Sequence, residues 1–266
     1  MQYAEHPIPA ALASAVRCVW TLQGDAPPAP ADPQPILPDG CAELILNLGD
    51  PFEELHEGAW QKQPVRFLYG QLTKAIQLRP TGATAIVGVR FQPWGVYWLF
   101  GPHAVRADER SPLAEIDATW DEAMEKTLVG NDPVDALPMV IAALEDRSTK
   151  PIEPTLLWFI QALQAVKTGP LDPLKADAAL SERQLERRFL AVVGLRPKLF
   201  ARIIRLRRLI DLLHAGDTKG FAAVAHAAGY FDQAHFNRDL KAFAGMAPRA
   251  YFKQELVLPE HFSGAR

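Results

Sequence analysis

The chain has 266 residues, 48% hydrophobic and 22% charged, with a formal net charge of −3. That is enough apolar material for one or two packed domains and too much for a disordered chain. Its two cysteines, Cys18 and Cys41, exclude a disulfide framework and a four-cysteine zinc site. No run reaches the roughly 18–20 apolar residues that span a bilayer, and Met1–Pro7 lacks the basic and apolar regions of a signal peptide, so no membrane partner and a cytoplasmic location are expected.

The first 100 residues read as strands and turns. Ala15–Leu22 is β-capable. The stretch from Ala26 to Pro38 holds six prolines and excludes helix and central strand, because proline has no amide donor. Pro38-Asp39-Gly40 is a turn: proline presets φ, aspartate caps locally and glycine accepts φ > 0. Further strand-like runs follow at Cys41–Leu48, Val65–Tyr69, Ala75–Leu78 and Thr84–Phe91, a pattern of short strands with Gly/Pro punctuation that favours a barrel or sandwich. Periodicity leaves Pro93–Phe100 open between helix and strand. From Trp120 the pattern is helical: Trp120, Met124 and Leu128, then Val134, Leu137, Ile141 and Leu144, with Pro133 suited to a first turn. Lys150–Pro154 is the linker candidate.

Charge divides the chain at the same place. Residues 1–150 carry 11 Lys+Arg against 20 Asp+Glu, and residues 151–266 carry 17 against 11. A basic half beside an acidic one points to a polyanionic partner for the former. In that half Leu156, Phe159, Ile160 and Leu163 make one apolar face, and an Ala-rich helix at Leu174–Leu180 follows. Ser181 then caps a helix over Glu182–Val193, with Gln184 at capping-box spacing. Leu185 and Phe189 point inward, Arg183, Glu186 and Arg187 outward, and Gly194 ends the helix. The arrangement repeats: an Ala-rich helix at Gly220–Ala228, a turn at Gly229, and Asp232 capping Gln233–Ala244, with Phe236, Leu240 and Phe243 inward and Gln233, Ala234, Asn237 and Arg238 outward. Between the two runs a helix over Lys198–His214, with Leu199, Ile203, Leu206, Leu209 or Ile210, and Leu213 as its core stripe. Its arginines, Arg202, Arg205, Arg207 and Arg208, form a solvated face, or some of them supply phosphate contacts, the reading favoured for a helix between two DNA readers. Two short helices joined by a tight turn, the second bearing an Arg/Gln/Asn face, are what a helix-turn-helix requires; Gln and Asn suit adenine and Arg suits guanine.

Residues 154–255 resemble the DNA-binding domain of the AraC/XylS transcription regulators. The resemblance is carried by Val224-Ala225, Ala228-Gly229-Tyr230, Asp232-Gln233, His235-Phe236, Arg238, Leu240-Lys241, Phe243, Gly245-Met246, Pro248 and Tyr251. Leu180-Ser181, Leu185, Arg187, Phe189, Gly194 and Pro197 extend it towards the N-terminus. Tyr230, Leu240 and Phe252 depart from the usual pattern. The resemblance implies two recognition helices in successive major grooves of double-stranded DNA, with Arg183, Glu186 and Arg187 reading bases from the first and Gln233, Ala234, Asn237 and Arg238 from the second. Residues 1–110 resemble the β-rich N-terminal domain of a subset of these regulators, through Leu37–Asp50 and Gly88–Pro93. That implies a cupin-like sensory or dimerising module.

The expected fold is an α+β multidomain one: residues 1–150 form a β-rich, barrel-like sensor or dimerisation domain with a helical connector, and residues 151–266 an all-α domain with two helix-turn-helix motifs. Arg90, Trp94, Tyr97 and Trp98 are candidates to line a pocket for an unidentified small-molecule effector; the alternative is that the aromatics are core and Arg90 forms an ion pair. His6, His56 and His103 are too dispersed for a metal site. Cys18 and Cys41 read as core and Glu43 as a solvated strand residue. No catalytic residue, metal or cofactor is assigned. The expected function is a sequence-specific, effector-responsive transcription activator, with RNA polymerase as a second partner and a homodimer seam on the connector helices. The alternatives are an enzyme or ligand-binding barrel fused to a DNA-targeting module, and a constitutive DNA binder whose N-terminal domain only dimerises.

Overall fold

The computed structural model describes residues 1–27, 31–147, 149–165, 180–214 and 221–253. It divides into two compact units. The first comprises Met1–Gln34, Cys41–Gln71 and Ile76–Pro151; the second comprises Pro35–Gly40, Leu72–Ala75 and the chain from Ile152 on.

Ten strands run through the N-terminal part: β1 (Gln2–His6), β2 (Val16–Gly24), β3 (Gln34–Ile36), β4 (Glu43–Asn47), β5 (Glu53–His56), β6 (Ala59–Lys62), β7 (Arg66–Tyr69), β8 (Ile76–Arg79), β9 (Thr84–Phe91) and β10 (Arg110–Pro112). They form a six-stranded sheet, β1-β2-β9-β4-β7-β10, and a four-stranded sheet, β3-β8-β5-β6. The proline-bearing β3 lies at the edge of the four-stranded sheet, the position in which sheets tolerate proline.

The two faces of the large sheet differ in chemistry. Val19, Val89 and Leu44 align across β2, β9 and β4 and, with Val87, Leu46 and Leu68, enter the main apolar cluster. Four helices supply the rest of the first unit: α1 (Gly95–Phe100), α2 (Leu113–Ile116), α3 (Ala118–Leu128) and α4 (Pro133–Glu145). They bring Val96, Leu99, Phe100, Leu113, Met124, Leu128, Leu137, Val140 and Leu144 to the same cluster. The segment expected to be a connector is thus a packed layer of the first unit. Its inward stripe on α4 runs through Ala136, Leu137, Val140 and Leu144, whereas Val134, expected in that stripe, is 50% exposed. Asp117 and Asp132 cap α3 and α4. Arg147 closes the layer: it donates to Leu99 O at 3.0 Å and to Asp117 at 3.0 Å, with its guanidinium 4.3 Å from the Phe100 ring.

On the opposite face Gly88 is required by close approach. Trp20 lies opposite it across the strand pair, and a Cβ on Gly88 would fall 2.0 Å from the indole. The Pro93–Phe100 ambiguity resolves as a short helix from Gly95, after Phe91 ends the strand.

The second unit is helical: α5 (Pro154–Ala165), α6 (Glu182–Val193), α7 (Pro197–His214), α8 (Phe221–Ala227), α9 (Gln233–Ala244) and α10 (Pro248–Tyr251). Edge-on ring contacts link Phe159, Phe189 and Phe200, joining α5, α6 and α7. Leu156, Phe159, Ile160 and Leu163 are all buried. On α7 the buried stripe is Phe200, Ile203, Leu206, Leu209 and Ile210. Leu199 and Leu213, expected in it, are only half-buried, because the stripe starts one residue later. The Ala-rich helix expected at Leu174–Leu180 lies outside the described residues except for Leu180.

Candidate nucleic-acid interface

The second helical pair is held by backbone chemistry at each end of its turn. Helix α8 ends in a paired closure: Gly229 N–H donates to His226 O and Tyr230 N–H to Ala225 O, both at 2.9 Å, with Gly229 at φ 96°. This is the Schellman arrangement, and the positive φ is one that L side chains rarely adopt. Three residues on, Asp232 accepts from His235 N–H at 2.6 Å and caps α9. Phe236, Leu240 and Phe243 are buried, Tyr230 packs edge-on against Phe236, and Gly245 at φ 72° ends the helix. Burial, reinforced by the neighbouring Asp239 carboxylate, pushes the Tyr230 phenol well above its usual pKa.

Helix α6 has the matching construction. Ser181 and Gln184 form a complete capping box, and Gly194 at φ 82° ends the helix. Leu185, Phe189, Val192 and Val193 are buried. Arg183, Glu186 and Arg187 are exposed together on the opposite side. On α9, Gln233, Ala234 and Arg238 are exposed; Asn237, expected to face fully outward, is half-buried with its side-chain carbonyl oxygen enclosed.

Helix α7 joins the two motifs. Its 18 residues span about 27 Å at 1.5 Å per residue. Its arginines, for some of which phosphate contact is expected, make contacts within the unit. Arg202 donates twice to Asp239, and Arg205 lies 3.4 Å from His235 Nε2 and over the Tyr230 ring. Arg207 is 8% exposed and paired with Asp211 and Asp39, and Arg208 donates to Gln164 O. The reason is spacing: four arginines within seven residues go around the helix, and several must face neighbours rather than water. The Pro38–Gly40 turn belongs to this unit, with Gly40 at φ 81° against Phe200 and Ile204. Ala75 N–H donates to Phe243 O near the C-terminus of α9.

In the first unit the register places a polar row on the face opposite the main cluster. Cys18, Arg90, Glu43, Tyr69 and Arg110 stand side by side across β2, β9, β4, β7 and β10. Arg90 donates to Glu43 at 2.8 Å, so Glu43 is ion-paired rather than solvated. Tyr69 donates to Glu54 at 2.9 Å, and Arg110 lies 3.4 Å from the same carboxylate. Burial pushes the Cys18 thiol up to about 12, against the opposing effect of Arg90. The candidate pocket residues do not share one wall. Trp98 packs against the helix-covered cluster and Trp94 is pinned to Ser14 O at 2.7 Å, whereas Arg90 lies between Val89 and Phe91 on the other face. Tyr97 is half-buried on α1. The sequence reading missed Glu54, Tyr69 and Arg110, which become partners only through strand register.

Residues 174–254 match the family described as a helix-turn-helix domain, and residues 4–109 match a domain of unknown function (DUF6597). No curated protein matches the chain. Among solved structures, apo ToxT from Vibrio cholerae strain SCE256 is 10% identical at a TM-score of 0.47, covering 88% of this chain and 97% of its own. Unsaturated fatty acid bound ToxT of the same strain is 13% identical at 0.44, covering 87% and 92%. The AraC-like transcriptional activator CuxR is 14% identical at 0.26, covering 79% and 81%. Residues 174–254 thus carry a helix-turn-helix domain, and a β-rich part precedes it. No helix among the described residues is long and apolar enough to cross a membrane.

Proposed function

We propose that this protein is a transcription regulator of the AraC type that reads a two-part DNA site with α6 and α9. Arg183, Glu186 and Arg187 contact base edges from α6; Gln233, Ala234, Asn237 and Arg238 do so from α9. The observation that carries the reading is the contrast among the arginines. Those on α7 are engaged within the unit, while Arg183, Arg187 and Arg238 stand exposed on capped helices. The half-buried Asn237 reaches a base edge only by its amide end.

Residues 151–266 act as the DNA-binding module, and residues 1–150 as the part that receives an effector. The row of Arg90, Glu43, Tyr69 and Arg110 supports an effector with hydrogen-bonding groups, since buried charges on one sheet face can orient a polar ligand. Trp98 packs against the helix-covered cluster on the other side of that sheet, and its role in this proposal is packing. Activation, contact with RNA polymerase, homodimerisation and a cytoplasmic location follow from the family reading. ToxT bound to an unsaturated fatty acid offers a first class of compound to screen.

The test is a pair of substitutions. Arg183→Ala and Arg238→Ala should each cost about 1–3 kcal/mol on the specific site and relax one base position. Equal losses on specific and random DNA would make them phosphate contacts.

A further inference from the structure

Among the described residues, the apolar leading edge of α9 is left open to water. Phe231 is 90% exposed, more than any other large apolar side chain among the described residues. It occupies the position just before the Asp232 cap. A hydrophobic residue there commonly staples onto the fourth helical residue, which here is Phe236. Phe236 is fully buried, and Tyr230 covers it at a ring separation of 5.6 Å. Tyr230 is drawn inward by its amide bond to Ala225 O and by its ring contacts with Phe236 and His235, so the next residue is turned out to water. Ala234, three residues on, is exposed too, and Arg238 one turn further. An aromatic ring in water carries an unfavourable hydration cost that binding can recover.

We propose that Phe231 and Ala234 form an apolar reading edge for the 5-methyl group of thymine in the half-site bound by α9. This rests on the DNA-reading role proposed for α9 and names what its first turn selects. The first turn of a recognition helix meets base edges, and the thymine methyl is the one apolar group that a base edge presents in the major groove. Phe231 adds a contact surface that the polar side chains of α9 cannot, and the neighbouring Arg238 holds the edge against a polyanion. Specificity for that half-site then comes from an A·T pair read by methyl contact, besides the hydrogen bonds of Gln233 and Arg238.

The experiment uses the full chain and a duplex selected from random DNA. Each thymine of the site is replaced in turn by deoxyuridine, which lacks only the methyl. One replacement in the α9 half-site should weaken binding about fourfold, the value of one buried methyl. Phe231→Ala should weaken binding to the thymine duplex and shrink the thymine–uracil difference to the part that Ala234 supplies, and Phe231→Leu should retain more of it. Because the ring is exposed, both variants should keep the wild-type melting temperature. A uracil scan that is flat across the α9 half-site, or a thymine–uracil difference that Phe231→Ala leaves undiminished, overturns the inference while leaving base reading by α9 intact. Failure to select any motif removes base reading itself, and this inference with it.

Discussion

Arg202 on α7 places Nε at 3.1 Å and Nη2 at 2.8 Å from one carboxylate oxygen of Asp239 on α9. The pair fixes how α9 is rotated about its axis, and therefore which residues it turns outward. The two ends are unequal: Asp239 is 5% exposed and Arg202 is 37% exposed. Removing the arginine strands a buried charge, whereas removing the charge on the aspartate leaves a cation that water can still reach. Arg202→Met should cost about 3 kcal/mol and Asp239→Asn clearly less, about 1 kcal/mol. Urea unfolding of each variant measures this, and the reverse order would contradict it.

Arg147 does comparable work in the first unit, where one guanidinium serves Asp117, the Leu99 carbonyl and the Phe100 and Trp120 rings. Arg147→Met keeps much of the stem packing and loses the hydrogen bonds and the cation–ring attraction. A loss of about 2 kcal/mol is expected, followed by tryptophan fluorescence during denaturation.

The capping box on α6 predicts a graded series. Ser181→Ala should cost about 1 kcal/mol of stability, and Ser181→Asp should retain most of it, because aspartate accepts the same amide hydrogen bond. If α6 reads DNA, Ser181→Ala should also weaken binding more on the duplex with an intact α6 half-site than on one with that half scrambled.

Alkaline pH should destabilise the protein. Burial raises the Cys18 and Tyr251 pKa values to about 12, and places those of Tyr3, Tyr69 and Tyr230 higher still. Each group is raised above its unfolded value of 9.0 for the thiol or 10.0 for the phenols. The stability they contribute is therefore complete below pH 9 and lost as pH rises towards and beyond 12. Melting temperature against pH, with tyrosinate absorbance read in parallel, should show the phenols ionising with unfolding rather than before it.

Local signals were the legible part of the fold. The boundaries of α6 and α9 could be read from Ser181, Gly194 and Asp232, because caps and left-handed glycines act within a few residues. The apolar run Thr84–Phe91 likewise declared its strand. The β5–β6 hairpin was not legible: Glu53–Lys62 is mostly polar and half-exposed, and its turn puts Glu57 at φ 50° beside Gly58, where a sequence gives little warning. Long-range pairings were hidden too. Arg90, Glu43 and Tyr69 lie far apart in the chain and meet only when the register of three strands is set. The partners of the α7 arginines were hidden for the same reason, since Asp39, Gln164 and Asp239 are distant in sequence.

The most direct test of paired recognition helices is selection of binding sites from random duplex DNA by the full-length chain, followed by a salt titration of the winner. The account predicts a two-part motif whose halves are centred about one helical turn apart, 10–10.5 base pairs. It also predicts that the preference for this motif over random sequence survives as salt rises. Retention of DNA with no enriched motif, and an affinity that tracks salt alone, would reduce the protein to a phosphate binder and contradict base reading by α6 and α9.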